Sequence, residues 1–381
     1  PERPAASSPA QQPEPEAVCQ HGGRSSPGVS ALTLPRNART FQEWTSTMMK
    51  LKRRGGSAQV IGVAGLGVAA ASALLAACAP LPAPRAFAGS LDVPLSPTSG
   101  RIAVIADLQR TSTLEFWRES NDPERAALVR ALAAARPDAV FVVGDLVFDG
   151  ASARHWADLD ALLAPVRDAG IPAFAALGNH ETWGSRGGER HFFARFPHLG
   201  GRRWYEVAYG PIRVVVLDSN IDELTPAAWD AQIRWYEGAL RRIDADPSAR
   251  AALVLAHHPP YTNSTVTGDE PHVQRHIVPP LLRSRKALAL ISGHVHNHER
   301  FRRGGKLFIV AGGGGGPRAA LAQGAARRHP DDLARGPALR PFHFLLIAPA
   351  PEGLAVEVRG LPKGGSEAAP LDRFVIPWPA P

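Results

Sequence analysis

Five short segments of this chain carry residue types that hold small cations. They are Asp107-Leu108-Gln109, Gly144-Asp145, Gly178-Asn179-His180-Glu181, His257-His258-Pro259-Pro260 and Gly293-His294-Val295-His296. Carboxylate, carboxamide and imidazole groups are donors suited to first-row divalent metals. Two such metals about 3.5–4 Å apart lower the pKa of a bridging water and clamp both oxygens of an in-line displacement at phosphorus. Two carboxylates and one hydroxide would leave residual positive charge on that pair, which an anionic phosphate ester would meet. Taken singly, each segment is weak. A lone Asp after a strand is more often a turn or cap residue, and His-x-His can be strand decoration. Five in succession, each after an apolar run, reverse that weighing.

The elements that must position them are short and apolar. Runs at Ile102–Ala106, Ala139–Val143, Ala173–Leu177, Val214–Leu217, Leu253–Ala256 and Ala287–Ile291 read as strands buried on both faces. Helical patterns lie between several of them, at Pro123–Ala135, Ala153–Ala169, Pro226–Ile243 and Val273–Ser284. Asp122 and Thr225 are expected as N-caps ahead of Pro123 and Pro226. Alternating strand and helix predicts an α/β fold with a mainly parallel sheet, whose ligands collect at the carboxyl ends of the strands. The later runs Lys306–Ala311, Phe342–Ile347 and Leu354–Val358 lack long helices between them and suggest a second, more antiparallel sheet.

Read together, the segments resemble the calcineurin-like metallophosphoesterases, whose motif set is D-x-H, G-D-x-x, G-N-H-[DE], a strand-terminal His and G-H-x-H. The match covers roughly residues 101 to 316. The strings Gly144–Phe148, His257–Tyr261 and Gly293–Arg300 lean towards the purple acid phosphatase branch. The resemblance implies a four-layer α/β/β/α sandwich of two mixed sheets flanked by helices. It also implies two divalent metal ions, Mn, Fe or Zn, at the strand ends. Asp145 would bridge the pair. Asn179, His257 and His294 would complete one site, with His258 as the alternative to His257, while Asp107 and His296 belong to the other. His180 would sit near the leaving-group oxygen as general acid or charge stabiliser. The departure is Gln109, where the family usually has His, and Phe148 stands where purple acid phosphatases have a metal-binding Tyr. Gln109 could bind through its amide oxygen or only orient a water; an oxygen donor shifts preference towards Mn, Mg or Fe(II). The implied activity is hydrolysis of phosphate mono- or diesters by metal-activated hydroxide. The alternative is a metal- or phosphate-binding surface lipoprotein with impaired turnover.

Composition narrows the rest. The two cysteines, Cys19 and Cys78, form no CxxC pair, so neither a disulfide framework nor a thiolate zinc site is expected. Of the formal charge of +8, residues 78–381 carry +4, scattered rather than striped, so no nucleic-acid surface is expected. Residues 1–47 read as a disordered or untranslated upstream segment ahead of Met48 and Met49. Residues 48–77 have a basic start, an apolar stretch and small residues closing on Leu75-Ala76-Ala77-Cys78, the order of a lipoprotein signal peptide. Lipidation at Cys78 would anchor the chain outside the cytoplasm of a bacterium. Residues 78–99 read as a Pro-rich tether, and 100–381 as the catalytic domain, expected as a monomer. The glycine run Gly312–Gly316 lacks the Lys-Ser/Thr of a phosphate-binding loop and reads as a close-packed turn beside the site. Trp183 and Tyr261 are candidates to stack on a substrate. His191, His198, His272 and His276 read as polar surface rather than cleft lining.

Overall fold

The apolar runs become the strands of two six-stranded sheets in the computed structural model. It describes residues 81–115, 117–182 and 187–379, all within the unit Thr40–Pro381. The first sheet has the order β12-β11-β10-β1-β2-β3 and the second β4-β5-β6-β7-β9-β8. In the first, β1 (Ile102–Ile105), β2 (Val140–Val143) and β3 (Ala173–Ala176) run parallel. In the second, β5 (Ile212–Val216), β6 (Ala251–Leu255), β7 (Ala287–Ser292) and β9 (Lys306–Ala311) run parallel. Every residue of β1, β2, β3, β6 and β7 is buried, which explains their unbroken apolar composition.

The expected second, more antiparallel sheet does not form from the later runs. Strand β10 (Phe342–Ala350) instead pairs antiparallel with β1 and extends the first sheet through β11 (Gly353–Leu361) and β12 (Ala369–Pro377). Its start, Phe342 to Ile347, is buried throughout, as suits a strand with neighbours on both edges. Three strands carry no apolar run: β4 (Tyr205–Tyr209), β8 (His298–Arg303) and β12. All three lie at sheet edges, where polar side chains reach solvent.

Helices follow local chemistry. Helix α1 spans Asp122–Ala134; Asp122 is its first helical residue, not its cap, because its carboxylate is held by Arg110 and Arg125. The expected helix over 153–169 divides at Leu163 into α2 (Ala153–Leu162) and α3 (Ala164–Asp168), with Pro165 unable to continue the ladder. Two short helices, α4 (Asn179–Thr182) and α5 (Gly187–Arg195), follow β3. Helix α6 (Pro226–Ala245) is capped by Thr225, whose Oγ1 accepts the Ala228 N–H at 3.2 Å. Its buried Trp229, Gln232, Tyr236, Ala239, Leu240 and Ile243 form a stripe against the second sheet. A π-helical turn, Val273–Ile277, precedes α7 (Val278–Arg283), which carries Pro279 and Pro280.

Part of the expected tether lies against the domain. Phe87 is buried, stacks on Phe196 at 5.1 Å and has the Arg167 guanidinium over its ring. Further along, Leu95 N–H donates to Ala208 O, and Ser99 N–H to the Asp138 carboxylate. The expected upstream segment, the expected signal peptide, Cys78 and Trp183 lie outside the described residues. No helix among the described residues is long and apolar enough to cross a membrane.

Candidate metal centre

The five segments leave the carboxyl ends of five strands: β1, β2 and β3 of one sheet, β6 and β7 of the other. Asp107, Asp145, His294 and His296 all adopt positive φ, between 45° and 71°. Few non-glycine residues do so, and all four belong to the segments that follow the strand ends.

Asp145 is the hub. Its Oδ2 lies 3.2 Å from His257 Nε2 and 3.5 Å from Gln109 Nε2. Asn179 Oδ1 lies 3.1 Å from His257 Nε2 and 3.0 Å from His294 Nδ1. On the other side, His296 Nε2 is 3.6 Å from Asp107 Oδ1 and 2.9 Å from Gln109 Nε2. The predicted residues are thus brought close together around Asp145, and Asp107, Asp145 and His257 offer donor atoms within 4.8 Å of one another, across the two expected groups. His180 stands beside them, its Nδ1–H donating to Phe148 O at 2.6 Å and its Nε2 3.9 Å from Asp145 Oδ2.

Tautomers are set from outside the group. His257 Nδ1 donates to Val143 O and His296 Nδ1 to Pro317 O, at 2.9 and 2.8 Å. Each imidazole therefore turns Nε2 inward, the orientation found in metal-binding histidines. Burial pushes the Asp107 carboxyl well above the usual range, against the pull of His257. For Asp145 burial is outweighed by His257 and His180, and its carboxyl is held below that range. Burial alone would depress His257, but Asp145 lifts it to about 9. Burial takes His296 down to about 4. The Gln109 Oε1 is buried without a partner; a half-turn of the amide would exchange it with Nε2, next to His296 and Asp145. Two carboxylates, inward-facing imidazoles, a carboxamide oxygen and an orphaned amide oxygen fit a pair of divalent cations.

The surroundings allow no slack. A Cβ on Gly312 would lie 2.6 Å from Asp107 Oδ2, one on Gly314 2.1 Å from Ala106 O, and one on Gly316 2.7 Å from His296 Cε1. The glycine run is the close-packed turn expected, and its N–H groups bond Ala106 O and Asp107 O. The motif Gly178–Glu181 gives Glu181 no role by sequence alone. It accepts N–H groups of Asp145, Leu146, Val147 and Gly178, and burial with the Asp145 charge raises it to about 7.

Above the centre opens a cleft of about 350 Å³, lined among others by Phe148, His180, Arg118, Glu115, Asn220 and His258. Tyr261 packs instead on Phe308 and Phe301, and His191, His198, His272 and His276 do not line the cleft. Sequence reasoning missed Ser219 and Asn220, which follow β5 and line the cleft. The signal was a sixth apolar run ending in polar residues, Leu217-Asp218-Ser219-Asn220.

The sequence profile of calcineurin-like phosphoesterases matches residues 100–298, more than half of the chain. The fold resembles a purple acid phosphatase from yellow lupin (Lupinus luteus) seeds, with 19% identity and a TM-score of 0.58 over 73% of this chain and 53% of the lupin protein. This chain therefore spans about half the length of that phosphatase. GAP50, the anchor in the inner membrane complex of Plasmodium, is similar at 14% identity and TM-score 0.54, covering 74% of this chain and 89% of its own. A dimetal phosphatase from Danio rerio is similar at 16% identity and TM-score 0.51, covering 75% and 100%. None of the curated protein sequences matches the chain.

Proposed function

Because this chain belongs to the calcineurin-like phosphoesterase family, we propose that it is a dinuclear-metal hydrolase of phosphate mono- or diesters. The observation that carries the reading is the single carboxylate of Asp145 set between His257 with Asn179 on one side and Gln109 with His296 on the other. In this reading Asp145 is shared, Asn179, His257 and His294 hold one cation, and Asp107, His296 and Gln109 hold the other. When bound, the pair would supply Lewis-acid charge and an activated water. The protein's own part is positioning: Glu181 fixes the turn after β2 through the N–H groups of residues 145–147. Phe148 O orients the His180 imidazole towards the cleft floor, where it would meet the leaving-group oxygen.

The test is metal content together with hydrolysis of an aryl phosphate and a bis-aryl phosphate in added Mn. Two equivalents of metal and turnover are expected, with Asp145→Asn losing more than ~100-fold in activity and at least one metal. Two bound metals without turnover on either ester would make it a binding protein instead. We also propose an extracytoplasmic, lipid-anchored location, supported by the order of basic, apolar and small residues ahead of Cys78. Mass analysis of the mature N-terminus should find a diacylated Cys78; an unmodified cysteine there refutes it.

A further inference from the structure

We propose that His258, held by Ser219, is a hydrogen-bond donor to a phosphoryl oxygen of the substrate and is not a metal ligand. The inference rests on the phosphoesterase reading and adds a residue to it. His257, His258 and His294 have donor atoms within 4.8 Å of one another, so proximity alone does not separate ligand from neighbour. Hydrogen bonding does. His257 and His296 give their Nδ1–H to backbone carbonyls, so Nε2 is the atom each turns towards the carboxylates. His258 is wired the other way. Its backbone N–H donates to Ser219 Oγ at 3.0 Å, and His258 Nδ1, 2.8 Å away, is the one acceptor that the Ser219 hydroxyl hydrogen meets among the described residues, which assigns that hydrogen to the Ser219–His258 bond. An imidazole that accepts at Nδ1 carries its hydrogen on Nε2, and an N–H cannot bind a cation.

Ser219 is rigidly placed for this. Asp218 N–H donates to Gln232 Oε1 and Gln232 Nε2 to Asp218 O, both at 2.8 Å, tying the end of β5 to helix α6. Asp218 Oδ1 accepts the Asn220 N–H at 2.9 Å and closes the turn around Ser219. The His258 ring lies 4.5 Å from that of His294 and faces the cleft. It therefore offers an uncharged donor at the edge of the candidate metal centre, where a phosphoryl oxygen not bound by cations needs one. Ser219 is a positioning residue; it acts only through His258.

The test uses the full chain loaded with Mn and four variants: His258→Phe, His258→Gln, Ser219→Ala and the double variant Ser219→Ala/His258→Phe. Metal content, kcat, KM and the affinity for inorganic phosphate are measured. We expect unchanged metal content in all four. Phosphate affinity should fall about tenfold in His258→Phe, as for loss of one good hydrogen bond, with KM moving more than kcat. His258→Gln should recover part of the loss, and Ser219→Ala should weaken phosphate by a few-fold alone but add nothing beside His258→Phe. Loss of a metal equivalent in His258→Phe overturns the inference, as does a Ser219→Ala effect that persists without His258. Should His258→Phe not fold, Ser219→Ala against His258→Gln carries the same comparison. Wild-type protein that binds phosphate without turnover refutes the hydrolase and leaves the phosphate arm to decide the role of His258. Wild-type protein that binds no phosphate overturns the donor.

Discussion

Gln109 is the residue on which the character of the centre turns. Its Nε2 rests 2.9 Å from His296 Nε2 while its Oε1 has no partner, so in the proposed centre the amide would offer an oxygen where the family motif has a histidine. Replacing Gln109 with His should tighten Zn binding about tenfold or more, since imidazole suits zinc better than a carboxamide does. Competition with a chelator measures it; unchanged affinity would remove residue 109 from the ligand set. The candidate ligands at this scale could be picked out in the sequence because Asp, Asn and His stand directly after apolar runs. Their backbone state was not. Nothing in Asp107, Asp145, His294 or His296 announces a positive φ, a conformation costing roughly 1–3 kcal/mol each outside glycine. The opposite wiring of His257 and His258 was equally hidden, because it depends on Val143 O and Ser219 Oγ, distant in sequence.

At the scale of elements, the glycine run and strand β10 form one packed unit beside the site. A Cβ on Gly314 would strike Ala106 O, a backbone atom that cannot step aside. Gly314→Ala should therefore cost about 1–3 kcal/mol in urea unfolding and lower metal content, as overpacking displaces the end of β1 next to Asp107. His343 of β10 meets Gly313 from the other side. Burial, helped by His298, takes its imidazole down to about 3, against about 6.5 in an unfolded chain. Below pH 6.5 the unfolded chain gains a proton that the folded one refuses. Stability then drops by up to ~1.4 kcal/mol per pH unit until about pH 3. His343→Gln should show a shallower decline of the metal-free protein between pH 6.5 and 4 by denaturant titration; parallel curves would exclude His343. Strands such as Ala251–Leu255 could be read from burial alone. Edge strands such as β8, with Glu299, Arg300, Arg302 and Arg303 in sequence, could not, because pairing rather than composition makes them strands.

At the scale of the molecule, the sheet assignment was the least legible part. Phe342–Ile347 reads the same whether it extends the first sheet or starts another; only the distant pairing of β1 with β10 decides. The packing of residues 86–99 was likewise invisible, because a Pro-rich composition describes a free chain and not the pocket that receives Phe87. Phe87→Ala should cost roughly 3 kcal/mol of stability by removing the ring stacked on Phe196 and beneath Arg167. A midpoint unchanged in denaturant would mean the segment is only loosely attached. That docking also sets a leash. Were a lipid carried at Cys78, roughly eight residues would separate it from Phe87, a reach of about 30 Å at full stretch. An enzyme held on so short a line samples a thin shell above the bilayer rather than the surrounding volume. Its effective substrate would then be counted per area of surface, and esters at the headgroup level would be met far more often than those diffusing freely.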